Sequence, residues 1–154
     1  MVVKSRAPIH FFFKDVPASL RNRKKLKDFL IFLFKREKKS LSSLNYIFCS
    51  DKFLLEINRA YLKHDYYTDV VSFNLSNPRT EVIGEIYISL QQVKNNADQF
   101  GQTFKKELHR IIFHGALHLC GYSDKTKEEQ LQMRKKEEHY LRQYFNLVPR
   151  DTVS

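Results

Sequence analysis

The chain has 154 residues and a mass of 18.4 kDa, the size of one domain with a single core. Hydrophobic residues make up 42% of it and aromatic residues 14%, with only 4 Gly and 4 Pro, which excludes disordered, collagen-like and low-complexity proteins. The formal net charge of +10 favours polyanionic partners, nucleic acid first among them. We therefore expect one folded domain over residues 1–154.

The first elements predicted from the N-terminus are a strand and a long helix. The aromatic run Ile9–Phe13 ends before Pro17 and predicts strand one. Ser19 is the predicted N-cap of the helix, which ends near Lys35 and Arg36, where cations suit the C-terminal dipole. Apolar residues recur along one side of this helix at Leu20, Leu26, Phe29, Leu30 and Leu33.

Much of the positive charge lies in this helical region. From Arg21 to Lys39 there are nine Lys and Arg residues and two acids, so the segment contributes +7 of the net +10. The run is either the solvated outer face of an amphipathic helix or a face that contacts phosphates. Its position in the sequence does not decide between the two.

Three more runs predict strands two to four, and a short helix separates strands two and three. Ser50 is the predicted N-cap of that helix, and Asp65 follows it in a loop. The turn Ser76-Asn77-Pro78 is typical of a connection between neighbouring strands. The strands are Leu44–Cys49, Asp69–Phe73 and Glu81–Ser89, and the apolar side of the helix carries Phe53, Leu54, Ile57 and Tyr61.

Three helices are predicted after strand four. Ser89 begins one that stops at Gly101, Thr103 caps the next, and Thr126 with Glu129 forms a capping box for the last. The middle helix has an apolar face at Phe104, Leu108, Ile111, Ile112, Gly115 and Leu119, and the last carries Met133, Tyr140, Leu141 and Tyr144. Five helices and four strands in irregular alternation predict an α+β domain.

The residues most indicative of chemistry lie at the end of the middle helix. His114 and His118 are four residues apart, so their side chains project from one helix face and can chelate one ion, as in helical zinc sites. Gly121 allows the chain to reverse, and Asp124 can then supply a carboxylate as third ligand. The alternative is that both histidines are ordinary helix residues and Asp124 is a cap.

The spacing H-x3-H-x2-G-x2-D is similar to the metzincin frame, with Asp124 in place of the third histidine. Gly115 stands where a metzincin peptidase has its glutamate base, which disfavours proteolysis. Three protein ligands leave a fourth position for water, the arrangement of a catalytic zinc site rather than a structural one. A carboxylate ligand should make the ion a weaker Lewis acid than a third imidazole would.

The run from His114 to Asp124 resembles the YbeY family of bacterial endoribonucleases, whose signature is HGxLHLxGYDH. The match departs at Ser123 and Asp124, where the family usually has Asp and His. A second block, from Asn58 through Thr68-Asp69-Val70-Val71-Ser72-Phe73, resembles the family's LNxxYRxxDxxTDVLSF segment, and Gly84-Glu85-Ile86 resembles its GDI strand. Leu62 replaces the usual arginine.

The resemblance implies a mixed four-stranded sheet under helices, a zincin-like metal-site helix and a divalent metal, usually Zn²⁺. It also implies cleavage of single-stranded RNA in maturation of the 16S rRNA 3′ end and in ribosome quality control, with rRNA and the small ribosomal subunit as partners. The second hypothesis is a ribosome-associated RNA-binding factor with a structural metal and little or no catalysis. A zinc peptidase ranks third.

Several other polar and aromatic residues remain without an assigned role. No general base is evident: Glu85, His64 and Asp69 are more simply structural, and Thr68 and Ser72 bind either backbone or phosphate. Tyr61, Tyr66, Tyr67 and Tyr122 either pack or stack on unpaired bases, and His139 is expected to face solvent. Cys49 and Cys120 are expected to be reduced core thiols in a cytoplasmic protein.

No membrane span is expected, since the longest apolar run, Phe29 to Phe34, is far shorter than the roughly 20 residues that a span needs.

Overall fold

The computed structural model describes residues 8–17, 20–77 and 79–146. The strands are β1 (Ile9–Lys14), β2 (Leu41–Cys49), β3 (Val70–Asn74) and β4 (Val82–Ser89). The helices are α1 (Arg23–Arg36), α2 (Asp51–Ile57), α3 (Leu90–Phe100), α4 (Phe104–Leu119) and α5 (Lys127–Phe145), and a π-helical segment, Asn58–Leu62, continues α2. The predicted α+β fold is confirmed. In the described ranges, no helix combines the length and hydrophobicity needed to cross a membrane.

The four strands form one mixed sheet in the order β1-β2-β4-β3. β1, β2 and β4 are parallel, and β3 runs antiparallel to β4 at the edge, with Val71 opposite Tyr87. Because side chains alternate between the two faces of a strand, each face can bury its own cluster. The larger cluster joins the sheet to α1, α4 and α5, and the smaller one, under α2, contains Cys49, Leu54 and Val71.

Side-chain caps begin four of the five helices where the sequence predicted them. The hydroxyl groups of Ser50, Ser89, Thr103 and Thr126 accept hydrogen bonds from backbone N–H groups of the first turns, and Thr126 and Glu129 complete the capping box. These caps provide acceptors for backbone N–H groups that have no partner within the helix, and so fix where each helix begins. Helix α4 packs against β3 and β4.

The start of α1 differs from the prediction. Ser19 lies outside the described residues, and the helix begins at Arg23, after Asn22 with φ 53° and no side-chain cap. Asn tolerates this left-handed conformation better than most residues, so the chain turns sharply at Asn22 before the helix begins. The predicted turn between β3 and β4 includes Pro78, which also lies outside the described residues, although the antiparallel pairing of the two strands is confirmed.

Two predicted apolar contacts are wrong. Tyr61 is 68% exposed. The helix changes to π geometry at Asn58, so a residue four positions after Ile57 no longer lies on the same face as Ile57. Phe104, the first residue of α4, is 41% exposed because it lies at the rim of the core rather than under α5. The other predicted apolar positions of α4 are buried.

Candidate metal centre and active-site cleft

The three predicted ligands lie together. His114, His118 and Asp124 each offer one ligand atom, and these atoms lie within 4.8 Å of one another. The Nε2 atoms of His114 and His118 are 3.5 and 3.3 Å from Oδ2 of Asp124. Both imidazoles therefore direct the same nitrogen toward one carboxylate oxygen, as chelation of a single ion requires.

The end of α4 brings Asp124 back toward the histidines. Gly121 has φ 108°, its N–H donates to the carbonyl of His118, and the N–H of Tyr122 donates to the carbonyl of Leu117. This pair of bonds is the Schellman motif, in which the residue with positive φ is usually glycine. Asp124 is further tied to α5, because Gln130 Nε2 donates to its carbonyl at 3.1 Å.

Each imidazole is oriented through its other nitrogen. His118 Nδ1 lies 2.9 Å from the carbonyl oxygen of Tyr122, and His114 Nδ1 lies 2.5 Å from Oε2 of Glu137. Both partners are hydrogen-bond acceptors, so Nδ1 carries the proton and Nε2 keeps its lone pair for a metal ion. Such outer contacts hold ligand rings in position and increase their basicity.

Glu137, on α5, contacts His114 and was not predicted from the sequence to be near the site. Its side chain is only 2% exposed, and Oε1 accepts a hydrogen bond from Arg110, which also pairs with Glu107. Burial alone would raise the pKa of Glu137, but the bonds from His114 and Arg110 outweigh it and lower the pKa below its usual value. The sequence does contain a signal for this buried carboxylate, because Glu137 interrupts the apolar side of α5 between Met133 and Tyr140.

A second carboxylate holds the turn that follows α4. Glu37, at the end of α1, accepts hydrogen bonds from Tyr122 at 2.8 Å, from Lys136 at 3.2 Å and from Tyr140. Burial alone would raise the pKa of Glu37, but these three bonds outweigh it and lower the pKa. Since the carbonyl of Tyr122 orients His118, Glu37 fixes part of the site from a distance.

The three ligand residues lie in one wall of a cleft of about 410 Å³. The opposite wall comes from the π-helical segment, the loop after it and β3, and includes Asn58, Leu62, His64, Tyr66, Thr68, Asp69 and Ser72. The buried side chain of Asn58 donates to the carbonyl of Tyr66 at 2.9 Å and so anchors this loop. His64 stacks on Tyr66, with Nδ1 2.9 Å from the phenol oxygen.

Comparison with known proteins identifies the family. The sequence model of the family Endoribonuclease YbeY matches residues 13–145. The chain belongs to the YbeY family. Proteins named Endoribonuclease YbeY from Cytophaga hutchinsonii and Amoebophilus asiaticus are 48% and 42% identical to it, over 86% and 88% of this chain and 93% and 92% of theirs. The solution structure of a Thermotoga maritima protein matches with a TM-score of 0.59 and 28% identity, over 89% of each chain.

Of the three departures from the YbeY motifs, Asp124 and Leu62 line the cleft and Ser123 does not. Asp124, which replaces the usual histidine, occupies the third corner of the cluster. Leu62, which replaces the usual arginine, lines the opposite wall without bringing a charge. Arg59 lies nearby in the sequence but pairs with Asp65, and it does not line the cleft.

Gly115 has a packing role that explains the missing glutamate. A Cβ atom at this position would lie 2.9 Å from both Cδ1 and Cγ2 of the fully buried Ile86, and 3.3 Å from Oγ of Ser72. Distances this short mean that any side chain at this position would force the buried Ile86 to shift. A residue as large as the metzincin glutamate is therefore disfavoured here, which argues against the peptidase hypothesis on steric grounds.

Some of the polar and aromatic residues that the sequence left without a role line the cleft, and others do not. Glu85 accepts a hydrogen bond from Tyr87 and does not line the cleft, whereas Asp69 lines it while accepting from Asn96. Ser72 Oγ is buried without a hydrogen-bond partner in the described ranges. Among the tyrosines, Tyr61, Tyr66 and Tyr67 are exposed, and His139 is exposed as predicted.

The cysteines are not part of the site. Cys49 and Cys120 are both free and buried, as predicted. Burial raises the pKa of each thiol to about 12, so both stay protonated at neutral pH. A protonated, buried thiol is neither a nucleophile nor a metal ligand.

Proposed function

We propose that this protein is a metal-dependent endoribonuclease that cuts single-stranded RNA and acts on rRNA in maturation of the 16S 3′ end and in ribosome quality control. The observation that carries the proposal is the convergence of His114, His118 and Asp124 at one wall of an open cleft, in a chain of the YbeY family. The net charge of +10 favours an RNA substrate. Cytoplasmic location and association with the small ribosomal subunit belong to the same proposal.

The donor set suits Zn²⁺. Two neutral imidazoles and one carboxylate oxygen are typical of catalytic zinc sites, in which a fourth position stays open. His114 Nε2, His118 Nε2 and an oxygen of Asp124 would hold the ion. When bound, a divalent ion supplies Lewis acidity toward a phosphoryl oxygen and lowers the pKa of a coordinated water.

The residues around the ligands prepare the site for a single strand. Glu137 and the carbonyl of Tyr122 accept the hydrogen bonds of the imidazole Nδ1–H groups, so that both Nε2 atoms face the cleft with their lone pairs free for a metal ion. The exposed ring of Tyr66 lies at the opposite wall, where an unpaired base can stack on it. A base within a duplex cannot leave its own stack without a cost of a few kcal/mol, which favours single strands.

The test is cleavage of a single-stranded RNA by protein of measured metal content. His114→Ala and Asp124→Ala should each abolish cleavage and lower the metal content, while circular dichroism stays unchanged. The matched controls are His139→Ala and Asp98→Ala, which remove the same groups from exposed positions outside the cleft.

Two results would reject the proposal. If the protein holds one metal per chain but cuts no RNA with or without chelator, the alternative of a ribosome-associated RNA-binding factor with a structural metal is supported. If His114→Ala and His139→Ala have equal activity, the cluster is not the catalytic site.

A further inference from the structure

Two adjoining grooves lie at the other end of α4 from the ligands, between the first turns of α1 and α4 and the last turn of α5. Their volumes are about 460 and 440 Å³. Lys105 and Phe145 line both, so the two form one continuous surface, here called the basic groove. Its cationic residues are Arg21, Lys25, Lys105, Lys106 and Arg142.

The charge of the basic groove is not neutralised internally. All five cations are exposed, and within residues 8–17, 20–77 and 79–146 none of them forms an ion pair. Glu138 is the single acid that lines the groove in those ranges. Some cations elsewhere in the protein are paired, such as Lys24 with Asp28 and Arg110 with two glutamates.

Aromatic rings lie among these cations. Lys25 Nζ is 4.5 Å from the ring centroid of Tyr144, and Lys105 Nζ is 5.7 Å from that of Phe145. Phe104, at the rim, is 41% exposed. Tyr144 is buried beneath Lys25, so the rings that an unpaired base can reach are Phe104 and the partly buried Phe145. Cations beside such rings match the phosphates and bases of RNA, whereas an acidic protein or a lipid headgroup offers no flat base to stack.

The basic groove and the cleft lie toward opposite ends of α4 and share no lining residue. Lys105 precedes His114 by nine residues, which places it about 180° around the helix and about 14 Å along its axis. A strand of a few nucleotides bound in the cleft does not extend to the groove as well. A large folded RNA is wide enough to occupy the cleft with one region and the groove with another.

We propose that the basic groove is a second RNA-binding site, which holds a region of a folded RNA apart from the strand in the cleft. The proposal rests on the proposed function for the strand in the cleft, but RNA binding at the groove is measurable on its own. Under this proposal, both readings of the positive run from Arg21 to Lys39 hold for different residues. Arg21 and Lys25 contact phosphates, whereas Lys24, which pairs with Asp28, lies on the solvated outer face.

The test compares a short single-stranded oligonucleotide with a folded small-subunit rRNA transcript, using the full chain. The variant Lys105→Gln/Lys106→Gln/Arg142→Gln should cut the oligonucleotide normally, because none of these side chains lines the cleft. It should bind the transcript about ten-fold more weakly, and the slope of log K against log salt should fall by about 2 to 3 for three lost phosphate contacts. Transcript cleavage should decrease to the same extent.

Two further variants act as controls. Lys35→Gln/Lys52→Gln/Lys135→Gln removes the same charge from exposed positions outside the groove and should change transcript binding much less. Lys105→Arg/Lys106→Arg/Arg142→Lys keeps the charge and should bind like the wild type. An equal loss in the first control would mean that net charge alone binds RNA, and an unchanged salt slope in the groove variant would also overturn the proposal.

Failure of the proposed function gives a different result. If the wild type cuts neither RNA, the nuclease proposal is wrong, and transcript binding alone then decides whether the groove binds RNA. If the groove variant binds the transcript normally but loses binding to anionic vesicles, the groove is a membrane contact and the proposal is rejected.

Discussion

Replacing Glu137 by Gln should weaken metal binding although this residue touches no metal. Gln keeps the shape of the side chain but removes the negatively charged oxygen that accepts a hydrogen bond from His114 Nδ1, at 2.5 Å. The amide then bonds His114 more weakly, and the imidazole loses both orientation and basicity. We expect Zn²⁺ affinity to fall rather than the fold to be lost, because Arg110 keeps its pairing with Glu107.

The size of the effect can be estimated from the burial of the pair. Glu137 is 2% exposed and His114 15%, so little solvent screens their contact. Changes in such outer contacts typically lower metal affinity by about 10- to 100-fold, which corresponds to about 1.4 to 2.7 kcal/mol. Arg110 also loses its charged partner on α5, so we expect the free energy of unfolding to fall by about 1 to 3 kcal/mol.

Chelator competition measures the affinity, and urea unfolding measures the stability. Glu138→Gln is the matched control: it makes the same change one residue further along α5, at an exposed position away from His114. If Glu137→Gln and Glu138→Gln bind Zn²⁺ equally tightly, Glu137 does not act on the site through His114, and the reasoning is refuted.

Three further substitutions test the packing of α4, the role of Glu37 and the third metal ligand. Gly115→Ala should destabilise the protein by about 1 to 2 kcal/mol in urea unfolding, because overpacking against Ile86 exceeds the helix-propensity gain of about 1 kcal/mol; a more stable variant would contradict this. The pKa of Glu37 is lower in the folded than in the unfolded protein, so its contribution to stability is complete above the unfolded-state pKa and is lost as the pH falls through the folded-state pKa. Glu37→Gln should therefore flatten the acid side of the curve of unfolding free energy against pH. An unchanged slope would contradict this role of Glu37. Asp124→His should move the acidic limb of the pH–rate profile to lower pH, because it removes a negative charge from the metal site, and an unmoved limb would reject that explanation.

Most of the fold could be predicted because local signals determine it. Caps such as Ser50, Ser89 and Thr126 act within one turn, so they can be recognised from a few residues. The exceptions depend on backbone conformations without a strong local signal. They are the left-handed residue Asn22 before α1 and the π-helical segment after α2.

The residues of the candidate site also differ in whether local sequence predicts their position. His114, His118 and Asp124 belong to one helix and its terminal turn, so their proximity follows from spacing. Glu137 and Glu37 reach the site from α5 and α1 through tertiary packing, and no spacing rule connects residues so far apart in the chain. The basic groove likewise requires three helix ends to meet, which charge counting along α1 cannot reveal.

In the proposed function, one metal ion held by His114, His118 and Asp124 makes this protein a nuclease. The most direct measurement is a titration of Zn²⁺ into chelator-treated protein while cleavage of a single-stranded RNA is followed. We expect activity to rise in proportion to bound metal and to stop rising at one ion per chain. Full loading with no cleavage, or cleavage that is unchanged in the metal-free protein, would contradict it.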